Sequence, residues 1–230
     1  MVKDELIQRS PVRVFEKSIG GGLKAGELGL ICSPPGMGKT SVLVQVALDK
    51  LLQGKRIIHI SFTQHSDYVL AWYEDIFNEF IKKKSVENER ELKDELVRNR
   101  VLLNFNQEGV NSDIIRSSLK AMIVEGGYKA EAIIIDGFDF SLAERDRIVT
   151  LRDFAKELGL CVWYSCSVDN GYDKNRVPLS VAKFEDCFDV AIVLEQKNDH
   201  IGLCVTKNRG VYKTDEEPLR LDPKTLLMLE

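Results

Sequence analysis

Lys39 stands among two glycines and two hydroxyl residues in Gly36-Met37-Gly38-Lys39-Thr40-Ser41. These residue types in this order can hold a phosphate. Glycines lack a Cβ, so the loop can turn its backbone N–H groups inward around an anion. The lysine adds a full charge near the outer phosphates, and the Thr40 hydroxyl is placed to meet Mg²⁺. A second group of residues can complete such a site. Ala132 to Asp136 is an apolar run that ends in an acid. An acid there orients Mg²⁺ through water and pairs with the Thr40 hydroxyl. Asp139, three residues on, reads as an accessory acid or as a loop carboxylate.

The elements around these residues position them. Leu28 to Cys32 reads as a buried strand. Ser33, Pro34 and Pro35 open a loop that can continue neither strand nor helix. Val42 to Leu52 has the apolar spacing of a helix, whose positive dipole end points at the same anion. Strand, glycine loop and helix with Gly-Lys-Thr at the junction is the Walker A pattern of nucleotide-binding proteins. The expected binding residues are therefore Ser33, Pro34, Pro35, Gly36, Met37, Gly38, Lys39, Thr40 and Ser41, with Thr40 and Asp136 serving the metal. The pattern departs from the usual one in a single place, where Ser33 stands for a glycine.

Further along, Arg56–Phe62 predicts a second buried strand, with His59 as a core histidine. A helix follows from Asp67 to about Lys83, with Ser66 as its N-cap. The charged run 84–100 predicts a solvated surface helix with one thin apolar face of Leu92, Leu96 and Val97. Residues 101–105 predict a strand, 112–124 a helix, 142–158 a helix and 160–164 a strand. Two apolar runs bracket Lys197-Asn198-Asp199-His200 as a hairpin, and the tail 218–229 has short strand character. Alternating apolar strands and amphipathic helices predict an α/β fold with a mostly parallel central sheet, helices on both faces and an antiparallel C-terminal hairpin extension. No repeat, linker or domain boundary shows, so residues 1–230 read as one domain.

Composition narrows the function classes. The chain has 230 residues, 44% hydrophobic and 30% charged, enough to bury a core. A net charge of −4 argues against a broad nucleic-acid footprint. The five cysteines fall mostly in apolar runs without a C-x-x-C pair, as reduced structural thiols of a cytoplasmic protein do. No apolar run is long enough for a membrane span, and the N-terminus does not read as a signal peptide.

Gly20-Gly21-Gly22-Leu23-Lys24-Ala25-Gly26-Glu27-Leu28, the glycine loop, Ala132–Asp136 and Lys207-Asn208-Arg209-Gly210 together resemble the core of RecA-type P-loop ATPases. The likeness is greatest to KaiC-type proteins and the DnaB helicase motor, and runs from about Ser18 onward. It implies binding of ATP and Mg²⁺. It also implies that Lys207 and Arg209 reach a neighbouring subunit's nucleotide, hence a homo-oligomeric ring or filament. From spacing alone, these two residues read as a basic hairpin turn. An arginine on the γ-phosphate is worth on the order of 10³–10⁵ in rate. The family also places a side chain against the adenine on the helix after the second strand. Trp72 and Tyr73 lie there and read either as base-stacking or as packing on the sheet.

Two departures bear on activity. The resemblance implies a catalytic glutamate at the end of the second strand, where Thr63 and Gln64 stand. Neither is a base at neutral pH, although Gln64 could position a water. After Ser165 the glutamine that couples nucleotide to DNA in the helicases is replaced by Cys166, and the following loop carries only Lys174 and Arg176 as cations. That argues against translocation along nucleic acid. The reading is an ATP-Mg²⁺-binding switch or assembly subunit with slow or absent hydrolysis, a protein partner being left open. The alternatives are a DNA-linked motor ATPase and a small-molecule kinase. For a kinase lid, residues 84–100 are too acidic.

Overall fold

The computed structural model describes residues 6–8, 10–62, 65–82, 88–105, 112–213 and 219–229. The chain is α/β and is built on one 10-stranded sheet. Its first half runs α1 (Pro11–Ser18), β1 (Leu28–Ser33), α2 (Lys39–Leu52), β2 (Arg56–Ser61), α3 (Ser66–Lys82), α4 (Glu89–Arg98) and β3 (Arg100–Asn104). The second half runs α5 (Ser112–Lys120), β4 (Ala130–Asp136), α6 (Arg145–Glu157), β5 (Cys161–Ser167), β6 (Val190–Gln196), β7 (Ile201–Asn208), β8 (Val211–Tyr212), β9 (Leu219–Leu221) and β10 (Met228–Leu229).

The sheet order is β10-β9-β7-β6-β1-β5-β4-β2-β3, with β8 paired to β7. From β3 to β6 all neighbours are parallel. From β6 outward all are antiparallel, beginning with the β6–β7 hairpin around residues 197–200. The parallel strands are apolar throughout because both of their faces are covered. Residues Leu28, Leu30 and Cys32 face a core closed by α5, α6 and the segment 177–188. Ile31 faces the other core, closed by α1 to α4.

Several boundaries differ from expectation. In α4 only Leu92 and Leu96 are buried, while Val97 points to solvent, so the thin face is two leucines wide. The helix expected over 112–124 stops at Lys120, and its last turn, Ala121–Glu125, widens into a π-helix. Residues 83–87 lie outside the described residues.

The tail is tied into α2. Ser41 Oγ donates to the Leu226 carbonyl at 2.7 Å, and Gln45 Nε2 does so at 3.0 Å. The Met228 N–H donates to Gln45 Oε1 at 2.8 Å. Leu226 sits at φ 55°, a strained conformation for a branched side chain, which these bonds hold in place. Among the described residues no helix is long and apolar enough to cross a membrane.

Candidate functional site

Parallel strands bring their C-terminal ends to one edge, so the loops after β1, β4 and β5 meet there. The glycine loop follows β1. Gly36 and Gly38 adopt φ 81° and 92°, where a side chain would be strained, and α2 begins directly after them. Lys39 is only 9% exposed. Its Nζ donates to the Ser33 carbonyl at 2.9 Å, to Ser33 Oγ at 3.3 Å and to the Pro34 carbonyl at 3.0 Å. Among the described residues it makes no salt bridge. Burial pulls the ammonium below its ordinary value, against the attraction of Asp136, Cys166, Cys32 and Asp169. A buried cation held only by neutral oxygens is an open demand for an anion.

Beside it, Thr40 Oγ1 donates to Asp136 Oδ2 at 2.7 Å. The other carboxylate oxygen accepts from Ser165 Oγ at 2.6 Å, and that hydroxyl in turn accepts from the Gly137 N–H at 2.7 Å. Asp136 is 3% exposed and fixed in rotamer by this chain. The positioning role of Ser165 is not visible in the sequence pattern. The signal lies in the strand order, since β5 runs between β1 and β4 and carries a hydroxyl to the level of the acid. Asp139 acts locally. It accepts from the Ser141 N–H and hydroxyl at 2.8 and 2.6 Å and caps a 3₁₀ turn.

The remaining expected binding residues divide. Pro34, Pro35 and Gly36 are exposed, and Met37 packs against the core. Ser41 donates its hydroxyl to the Leu226 carbonyl. Tyr73 does not reach the loop at all. It is 2% exposed, its hydroxyl lies 3.0 Å from His59 Nδ1, and the Arg100 guanidinium covers its ring at 4.1 Å. Base stacking by Tyr73 is thereby corrected to packing on the sheet, because a ring already covered on one face and enclosed in the core has no surface for a base. Burial pulls His59 down to about 4, so it sits neutral. Tyr73→Phe is expected to leave ATP affinity unchanged. It should cost about 1–2 kcal/mol of stability in urea denaturation, because His59 loses its partner. A tenfold loss of affinity at full stability would return Tyr73 to the site.

Lys207 and Arg209 lie at the far end of the sheet. Asn208 pairs with Val190, the first residue of β6, which puts both side chains at the edge opposite the glycine loop. The Lys207 ammonium donates to the Glu185 carbonyl at 2.6 Å. Arg209 and Gly210 form the two-residue turn between β7 and β8, with φ 47° and 83°. Positive φ at both positions suits such hairpins but disfavours arginine. The side chain offsets this strain. Nε and Nη2 each reach a Glu27 oxygen at 2.8 Å, Nη2 reaches the Gly22 carbonyl at 2.7 Å, and Nη1 reaches Asn208 Oδ1 at 2.9 Å and the Ile19 carbonyl. A guanidinium has five N–H groups, and this one has an acceptor in its own chain for each. Within its own chain Arg209 therefore clamps the 19–27 loop. The same loop, flexible by composition, is tied further by the Gly21 and Gly22 N–H groups on the Glu16 carbonyl.

Thr63 and Gln64 lie outside the described residues. His65, next to them, is exposed and pairs with Asp67 at 3.4 Å. Between the loops after β4 and β5 is a cavity of about 240 Å³, lined by Phe138, Cys166, Ser167, Asp169 and Ser180 among others.

No family model matches the chain. A stretch of 53 residues, 23% of the chain, is 44% identical to part of the DNA repair protein rhp55 of Schizosaccharomyces pombe. The match spans 15% of that protein's length.

Proposed function

We propose that the chain is an ATP- and Mg²⁺-binding protein of the RecA-like type, a nucleotide-dependent switch or assembly subunit with slow or absent hydrolysis. The observation that carries this reading is the 2.7 Å bond from Thr40 to Asp136, beside a buried Lys39 that has only neutral partners. A phosphate-seeking cation and a metal-orienting hydroxyl–carboxylate pair meet at one point of the sheet edge. The residues fit the nucleotide's phosphates. Gly36 and Gly38 would leave backbone N–H groups free to face them, Lys39 would exchange carbonyl partners for an anion, and Thr40 would offer its hydroxyl to the metal. Among the described residues no cluster of three or more His, Cys, Asp or Glu could hold a metal. Mg²⁺ would then rely on Thr40, on water held by Asp136 and on phosphate oxygens, its usual manner of binding. Bound there, the ion neutralises phosphate charge.

Slow hydrolysis rests on Thr63 and Gln64 at the position of the expected base. Self-assembly rests on the RecA-like resemblance, and the single-domain reading on a sequence without a linker or boundary signal. The saturated Arg209 weakens the case for a finger in trans, since assembly would have to open its clamp first.

The partial likeness to a DNA repair protein favours a second reading, a DNA-linked ATPase of the recombinase class. One experiment separates the two. ATP binding and turnover are measured with and without single-stranded DNA, on wild type, Thr63→Glu and Gln64→Glu. The switch reading expects tight binding, negligible wild-type turnover and an increase of at least about 10²-fold in one glutamate variant, the lower end of what a positioned general base contributes. Wild-type turnover stimulated by DNA would overturn it in favour of the second.

A further inference from the structure

Cys32 is the residue before Ser33 on β1, and Cys166 is the residue before Ser167 on β5. The register of these parallel strands pairs them directly. Both side chains face the same core. Neighbouring strands lie about 4.8 Å apart, inside the window of roughly 4.4–6.8 Å between Cα atoms in which a disulfide closes without backbone movement. The other strand cysteines have no such partner, since Cys161 pairs with Ala132 and Cys204 with Val193.

The two thiols are chemically unequal. Cys166 is held below its ordinary value by the hydrogen bond of the Cys32 thiol, with help from the Ser180 hydroxyl and the Lys39 charge, against its own burial. Cys32 is pushed up, first by burial and then by Cys166. Cys166 also lines the 240 Å³ cavity, although the residue itself is only 1% exposed. One sulfur is thus suited to attack and the other to condense with the product.

We propose that Cys32 and Cys166 are a redox-modifiable dithiol under the glycine loop, which a peroxide-class oxidant closes to a disulfide. The Cys166 thiolate attacks one peroxide oxygen and the O–O bond breaks. The second oxygen leaves as water or an alcohol with the proton that the thiol gave up, and Cys166 carries a sulfenic acid. The Cys32 sulfur then attacks the Cys166 sulfur and the S–O bond breaks. Water leaves with the Cys32 proton. Two thiols lose two electrons in total, and one peroxide gains them. The bond would fasten β1 to β5 one residue before Ser33, whose carbonyl and hydroxyl hold the Lys39 ammonium.

The test is a hydrogen peroxide titration of the full chain without nucleotide. It is followed by unfolding, alkylation, intact mass and a non-reducing peptide map. Alkylatable thiols should fall from five to three, with one peptide pair joined through Cys32 and Cys166 and released by dithiothreitol. Cys187→Ser should still form the link. Cys32→Ser and Cys166→Ser should not. Five alkylatable thiols in treated wild type, over-oxidation of Cys166 without a link, or a link between any other pair would overturn the proposal. The wild-type map decides by itself, so the result stands even where a variant fails to fold. Because no nucleotide is present, the outcome is also independent of the ATP-binding reading.

Discussion

Lys39→Ala is expected to lower affinity for ATP by at least about 10²-fold, while the nucleotide-free protein melts no earlier than wild type. Both halves follow from the same geometry. The ammonium is buried and is satisfied only by the oxygens of Ser33 and Pro34. Burying a charge without a counter-charge is unfavourable, so its removal costs the empty protein little. With a phosphate present the balance reverses. A hydrogen bond to a charged group is worth about 1.5–3 kcal/mol, and truncating one member of a buried charged pair costs about 2–5 kcal/mol, which is where the factor comes from. Titration calorimetry with ATP and Mg²⁺ measures the first half and a thermal melt the second. Wild-type affinity in the variant would end the phosphate-loop assignment.

Arg209→Ala is expected to lower the melting temperature by about 5–15 °C, from a loss of roughly 2–4 kcal/mol. It removes four hydrogen bonds to the 19–27 loop at once and leaves Glu27, partly buried, without its cation. Lysine at 209 should rescue little, because one ammonium cannot match a planar fork that meets a carboxylate and three further oxygens. The loss should also depend on pH. Burial raises the Glu27 carboxyl, but the bonds from Arg209 and the Lys24 N–H, with the nearby positive charges, bring it net below its usual 4.5. A carboxyl that titrates lower in the folded than in the unfolded chain stabilises fully above the unfolded value. That stabilisation is lost as pH falls through the folded one. Wild type and variant should therefore differ most near neutrality and converge below about pH 4.5. A variant as stable as wild type, but altered in turnover or assembly, would restore the role across a subunit boundary.

Local pattern carried the parallel half of the fold well, because doubly covered strands show as unbroken apolar runs and amphipathic helices by their period. The pair Thr40 and Asp136 was legible for a related reason: each sits where a strand or loop must end. What lay beyond reach was set by contacts distant in sequence. Nothing near Arg209 says that its partners are Glu27, Gly22 and Ile19. Nothing near Ser41 says that its hydroxyl serves Leu226 and not a phosphate. Tyr73 is instructive in a different way. Its place on the helix after β2 fitted a ring beside a base, but the helix turns that residue inward onto His59, and one position of helical phase decides between core and site. The π-helical turn at Ala121–Glu125 had no signal in spacing at all.

The docking of the tail on α2 has a consequence for how the protein is made. The hydrogen bonds of Ser41 and Gln45 with Leu226 and Met228 join residues 181 to 185 positions apart. Both strands that flank β1, β5 and β6, also lie far downstream of it. On the ribosome the glycine loop therefore emerges early, onto a strand with no neighbours and a helix with no brace. It stays unfinished until residue 228 has been synthesised and has left the exit tunnel. At about 5–20 residues per second, the nascent chain waits on the order of ten seconds or more between making this loop and being able to shape it. A nucleotide that needs the finished loop would bind only at the end of that wait, so occupancy of the loop would report that the whole sheet had closed.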